Sequence, residues 1–240
     1  MDRVKKLTAA VKKIASPEQA KILEGFFKTG PGQYGEGDIF WGVKAPAARQ
    51  IAKQFSDLSL DELSELISSP VHELRLIALF IAVYHYEEAK KFPEQKKIVR
   101  WYWRQRPQIN NWDLVDLSAP KILGAYLRDY PTERQLLIFL SQSPNLWDRR
   151  SAIVATLTFI SEGEFQPTLE LVKIFLSAPE DLIHKASGWM LREVGKRNQK
   201  VLLDFLDKYA ARMPRTMLRY SLEHLSAAKR QKYLRKKRIV

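Results

Sequence analysis

Cysteine is missing from the chain, which excludes disulfides and thiolate metal sites and fits a reducing interior, so a cytoplasmic protein is expected. Long apolar runs are missing too. No segment approaches the roughly 20 apolar residues that span a bilayer. The start, Met1-Asp2-Arg3-Val4-Lys5-Lys6, opens a short amphipathic stretch and not the apolar core of a signal peptide. The four histidines, His72, His85, His184 and His224, show no metal-ligand spacing, and no nucleophilic Ser motif stands out. The glycine-rich run Gly30-Pro31-Gly32-Gln33-Tyr34-Gly35-Glu36-Gly37-Asp38 lacks the Gly-Lys-Ser/Thr ending of a phosphate loop and follows no strand. Neither a metal nor a cofactor is expected. Acidic residues are in deficit, 27 against 40 Lys and Arg, for a formal charge of +13.

What is present is a chain of 240 residues with 45% hydrophobic content, enough to bury a full core as a single domain over 1–240. A basic excess serves nucleic acid, an anionic membrane surface or solubility. Membrane binding needs a basic amphipathic helix with a strong apolar face, whereas the cations appear spread along the whole chain. Charge and aromatic content together favour nucleic acid. Apolar residues recur at helical spacing, as in Leu74, Ile77, Ala78 and Ile81, and no alternating strand pattern emerges, so the fold class is all α. Pro70, Pro107, Pro144, Pro179 and Pro214 fall at intervals of 37, 37, 35 and 35 residues. Several precede a long amphipathic segment, where proline starts a helix. That period is one helical hairpin, the unit of an α-solenoid, with the glycine-rich amino-terminal part as its cap.

Equivalent helices of successive repeats line one concave surface. Residues five to ten positions after these prolines should therefore converge: Trp112 and Asp116, Arg149 and Arg150, Lys185 and Trp189. Trp112 and Asp116, four apart, share a helical face. A carboxylate aimed at a phosphate-rich partner weakens binding unless it does chemistry there. Pro120 has no N–H for the Asp116 carbonyl, so the helix should kink or restart, with Ser118 capping the new one. Asp113, turned about 100° from Trp112, should cap or face solvent. In the helix expected over 147–160, Arg150 lies inside the stripe of Ile153, Val154, Leu157 and Ile160. It needs a carboxylate or phosphate, Asp116 being a natural candidate, unless its head snorkels to solvent. Over 181–197, Trp189 sits at the edge of the core stripe beside a row of Lys185, Arg192 and Lys196 suited to phosphates; a tryptophan at a core margin also serves packing. The run from Lys229 to Arg238 is either a solvated helix or a further phosphate contact.

Four stretches in order carry a family likeness: the Lys28-Thr29 pair running into the glycine-rich segment, Trp41-Gly42-Val43-Lys44-Ala45-Pro46, Asn111-Trp112-Asp113-Leu114-Val115-Asp116, and Ser187-Gly188-Trp189-Met190-Leu191-Arg192-Glu193-Val194-Gly195-Lys196-Arg197. Together they resemble the AlkD-type DNA alkylation repair glycosylases over nearly the full chain. The resemblance implies a curved stack of HEAT-like helical pairs holding double-stranded DNA in its concave face. It also implies release of the cationic bases 3-methyladenine and 7-methylguanine by cleavage of the N-glycosidic bond, without extrusion of the base. On that likeness Asp116 is the catalytic aspartate, Trp112 and Trp189 are the lesion-facing tryptophans, and Arg150 is the groove arginine. A further active-site tyrosine falls at Phe26, a departure that removes a hydroxyl. The expected partner is duplex DNA containing alkylated bases, bound by a monomer with no membrane role. Two other readings stand beside it: a non-catalytic paralogue recognising bent or branched DNA, and a HEAT-like adaptor for acidic proteins.

Overall fold

The computed structural model of the chain describes residues 3–235, so the end of the basic run, 236–238, lies outside the described residues. Among them all regular structure is helical apart from one parallel bridge between Ile39 and Val71. No described helix is long and apolar enough to cross a membrane. The helices divide after Ile122 into two compact units.

The amino-terminal unit holds α1 (Arg3–Lys13), α2 (Pro17–Phe27), α3 (Ala45–Gln54), α4 (Leu60–Ile67), α5 (His72–Glu88), α6 (Phe92–Arg104) and α7 (Trp112–Ser118). Local chemistry sets several starts. Ser16 accepts the Gln19 N–H while Pro17 occupies the first turn of α2, and Ser59 with Glu62 forms a capping box on α4. α5 is buried on nearly every side, as befits the helix against which α3, α4, α6 and α7 all pack. Its first turn nevertheless carries His72, Glu73 and Arg75, at 1%, 1% and 4% exposure. Charges so deep require partners. Glu73 takes the N–H groups of Trp41, Gly42 and Val43 at 2.8 to 3.0 Å, so the long loop between α2 and α3 is folded onto the start of α5.

The carboxy-terminal unit holds α8 (Ala125–Asp129), α9 (Gln135–Ser141), α10 (Leu146–Ala155), α11 (Leu157–Ser161), α12 (Gln166–Ile174), α13 (Asp181–Arg197), α14 (Gln199–Tyr209), α15 (Arg215–Ser221) and α16 (Ala227–Leu234). The five periodic prolines precede α5, α7, α10, α13 and α15. These proline-led helices pack side by side within each unit, α5 on α7 in one, and α10 on α13 and α13 on α15 in the other. The remaining long helices form the second layer behind them, as α4 and α6 do on α5, and α9 on α10. This is the helical-pair repeat that the proline spacing predicts.

Two local expectations are corrected. The helix expected over 147–160 breaks at Thr156, whose hydroxyl donates to the Ile153 carbonyl at 2.7 Å and so competes with the helical ladder. Ser118 does not cap a new helix; its hydroxyl donates back to the Leu114 carbonyl at 2.5 Å and lies 3.0 Å from the Tyr102 hydroxyl. The chain accommodates Pro120 by a π-helical turn over Pro120–Gly124, a widening that suits a residue with no N–H to donate.

Candidate active site

Seven-residue α7 carries Trp112 and Asp116 on one face, and buried side chains fix where it begins. Asn111 accepts the Trp112 N–H at 2.8 Å through Oδ1 and donates to Asp38 Oδ2 at 3.1 Å through Nδ2. Asp38, at the end of the glycine-rich loop, also receives Arg75 Nη2 at 2.6 Å and meets His72 Nδ1 at 3.1 Å. His72 Nε2 lies 2.8 Å from Asp113 Oδ2. One imidazole with 2% of its side chain exposed thus bridges two carboxylates from segments 75 residues apart in sequence. Burial pushes the His72 pKa down, but Asp113 and then Asp38 outweigh it and Arg75, raising it to about 9. Burial likewise works to raise Asp38, and His72, Arg75 and Asn111 hold its carboxyl below the usual range. Two buried cations therefore balance two carboxylates.

Asp113 is a correction to the sequence reading. Its Oδ1 does accept the Leu114 N–H at 2.8 Å, but the 100° that separates it from Trp112 turns its other oxygen onto α5 and the imidazolium there, not to solvent.

Trp112 itself is packed into aromatic rings. It stacks on Phe27 with centroids 5.2 Å apart, Phe27 stacks on Phe40 at 5.1 Å, and Phe40 on His72 at 4.6 Å. Phe26, 60% exposed, meets Trp112 edge-on at 5.7 Å. An apolar ring, not a phenol, therefore flanks the tryptophan. Asp116 is half-buried one turn further along α7.

In the carboxy-terminal unit Arg150 is 5% exposed, so its head does not snorkel. Its Nη1 donates to the Leu182 carbonyl at 2.7 Å. Arg149 pairs with Glu180 and donates to the Ser143 and Pro144 carbonyls at 2.6 and 3.0 Å. The row on α13 is not a bare basic strip. Lys185 pairs with Asp181 at 2.8 Å, Lys196 with Glu193 at 2.8 Å, and Arg192 with Glu193 at 3.3 Å and with Glu223. Half-buried Trp189 donates its indole N–H to the same Glu193 at 3.2 Å. Burial acts to raise the Glu193 pKa, yet Lys196 and Arg192 hold it below the usual range, so it stays ionised among the cations.

Sequence reasoning missed the Asp38, His72, Arg75 and Asp113 cluster. The signal was three ionisable residues, His72, Glu73 and Arg75, opening a stretch that is apolar for most of its length; such charges must be paired inside a fold.

A family model described as DNA alkylation repair enzyme matches residues 7–225. A solved structure titled "Predicted DNA alkylation repair enzyme from Enterococcus faecalis" shares the fold with a TM-score of 0.71 at 20% identity, over 89% of this chain and 97% of that one. No curated protein matches the sequence.

Proposed function

Because the chain belongs to the DNA alkylation repair enzyme family, we propose that it is a DNA glycosylase that hydrolyses the N-glycosidic bond of cationic alkylated purines, 3-methyladenine and 7-methylguanine, in duplex DNA. The observation that carries this reading is the pairing of a half-buried carboxylate, Asp116, with an aromatic plate, Trp112, on a short helix whose start is locked by buried ion pairs. Loss of the base moves the C1′–N electron pair onto the purine and leaves positive charge on the deoxyribose. A carboxylate held beside that sugar stabilises the charge, and it orients the water whose oxygen then bonds C1′ as one of its protons passes to the carboxylate and on to solvent. An N3- or N7-alkylated purine is already cationic and departs neutral, so no general acid is needed at the leaving group.

Asp116 is assigned both roles. Trp112, with Phe26 at its edge, is assigned to the sugar–phosphate backbone, where a rigid apolar surface excludes water and strengthens the carboxylate's field. From the carboxy-terminal unit Trp189 and Arg150 are assigned to the DNA, with Arg149, Lys185, Arg192 and Lys196 as backbone contacts. The Lys185–Asp181 pair is exposed on both sides and contributes roughly 0–1 kcal/mol, so a phosphate can displace Asp181 there.

The test is release of methylated purine from alkylated duplex by the purified protein. Asp116→Asn should lower single-turnover release by orders of magnitude while duplex binding stays within a few-fold of wild type. Binding without any base release by the wild type would select the non-catalytic DNA-binding reading, to which Phe26 in place of a phenol also points.

A further inference from the structure

Residues 90–106 carry seven Lys and Arg against the single Glu94, so this short segment holds six of the thirteen net positive charges of the chain. With the run 229–238, which holds seven Lys and Arg and no acid, it accounts for the whole net charge, so the basic excess is not spread evenly along the chain. The rest of residues 1–122 is slightly acidic, with 12 Lys and Arg against 14 Asp and Glu.

Most of this segment is α6. The helix buries Ile98, Val99, Trp101 and Tyr102. Trp101 Nε1 donates to Ser64 Oγ of α4 at 2.8 Å, and the Tyr102 hydroxyl lies 3.0 Å from Ser118 Oγ of α7. On the face turned away, Lys97, Arg100 and Arg104 stand exposed at i, i+3 and i+7. Among the described residues no acidic side chain pairs with any of the three, whereas the cations on α13 are met by Asp181, Glu193 and Glu223. The flanking cations are braced on rings: Lys96 lies 4.9 Å over Phe92, and the Arg106 guanidinium 3.6 Å over Trp103. Between α4 and α6 a cleft of about 440 Å³ is lined by Leu60, Phe92 and Trp101 together with Lys96, Lys97, Arg100 and Arg104, with Asp61 as its one acid.

We propose that this face of α6 binds the sugar–phosphate backbone of a DNA duplex at a surface separate from Trp112 and Asp116. The seven helical steps from Lys97 to Arg104 rise about 10 Å, roughly the axial run of three phosphates on one strand. Guanidinium forks match phosphate oxygens in a bidentate way. A membrane surface fits less well, because the apolar side of α6 is buried in the fold and leaves little to insert. An acidic protein would need a broad apolar centre ringed by these cations, and the cleft offers chiefly Phe92, 41% exposed, because Trp101 is buried. The site adds sequence-independent affinity, which lets the protein hold one stretch of backbone while another is engaged, and it does not depend on whether Asp116 cleaves anything.

The test is Lys97→Gln/Arg100→Gln/Arg104→Gln, read by fluorescence anisotropy with an undamaged 25-base-pair duplex over a salt series. Neutralising three phosphate contacts should lower the slope of log K against log salt by roughly 2.7 and weaken binding at low salt at least tenfold. Release of methylated base at saturating enzyme should stay as in wild type, which separates this site from the proposed active site. Should the triple variant lose its fold by circular dichroism, Arg100→Gln and Arg104→Gln singly carry the measurement, each with a slope change of about 0.9. Unchanged slope and affinity overturn the proposal. So does loss of binding to polyglutamate with duplex binding intact, which would make the partner an acidic protein.

Discussion

His72 holds a positive charge where hydrocarbon rings surround it, and that makes the stability of the amino-terminal unit a function of pH. The folded pKa, about 9, stands above the ordinary histidine value of 6.5. The contribution is therefore whole below pH 6.5 and declines as pH rises, until it is lost above pH 9. A shift of this size corresponds to about 3 kcal/mol. Urea unfolding at pH 6 and at pH 9.5 should differ by about that amount, with the larger stability at pH 6. His72→Gln removes the imidazolium, leaving Asp38 with Arg75 and Asn111 but taking from Asp113 the cation that it meets, so the variant should lose roughly 3–5 kcal/mol at pH 6 and show a flatter profile between the two pH values. An unaltered profile in the variant would mean that some other group titrates. Because Asp113 directly follows Trp112 and precedes Asp116 by less than one turn, base release should fall along with stability as the imidazole loses its proton.

The loop between α2 and α3 places Asp38 and the rings around Trp112, and its glycines differ in what they tolerate. Gly42 has φ +80° and lies so close to α2 that a Cβ would stand 2.0 Å from the Ser16 carbonyl oxygen, whereas Gly37, with φ +88°, has open space around it. Gly37→Ala should cost about 1 kcal/mol for backbone strain alone. Gly42→Ala adds a clash with backbone and disturbs the N–H that reaches Glu73, so several-fold more should be lost. Equal urea midpoints for the two would refute that account. The elements behind this loop were legible in different degrees. Proline spacing marked the starts of α5, α7, α10, α13 and α15, because a fixed φ and a missing N–H are local properties. Trp112 and Asp116 were readable as a pair for a similar reason, since helical periodicity alone puts them on one face. The partners of Asp113 were not readable. The imidazole that Asp113 meets comes from α5, 41 residues away in sequence, and is itself held by Asp38 of the loop, and only the folded chain decides that a residue 100° from Trp112 meets it and not water. The acids that neutralise α13 were visible as letters, yet Glu223 reaches Arg192 only through the packing of α13 on α15.

At the scale of the whole molecule the charge excess is divided unequally: Lys and Arg number 19 against 15 acids in residues 1–122 and 21 against 12 in residues 123–240. In the second half seven of the nine excess positive charges fall in residues 229–238, while the cations on α13 are largely met by acids, Glu193 alone serving Lys196, Arg192 and the Trp189 indole. A net charge of +13 thus overstates how many cations stand ready for phosphate. If the α13 row meets DNA, removing the charge of Glu193 should free Lys196 while Arg192 keeps Glu223. Glu193→Gln should then tighten binding to an undamaged duplex several-fold at low salt and steepen the slope of log K against log salt by about 0.9, one additional phosphate contact. Thermal stability should fall as well, by about 1 kcal/mol, because Glu193 is half-buried and accepts from Lys196, Arg192 and the Trp189 indole. Affinity and slope equal to wild type would remove the α13 row from the DNA surface. The opposite sign, weaker binding on loss of a negative charge, would mean that Glu193 positions Trp189 or Arg192 for the backbone rather than competing with it. Base release under single turnover then distinguishes the two, since a positioning role lowers it and simple competition does not.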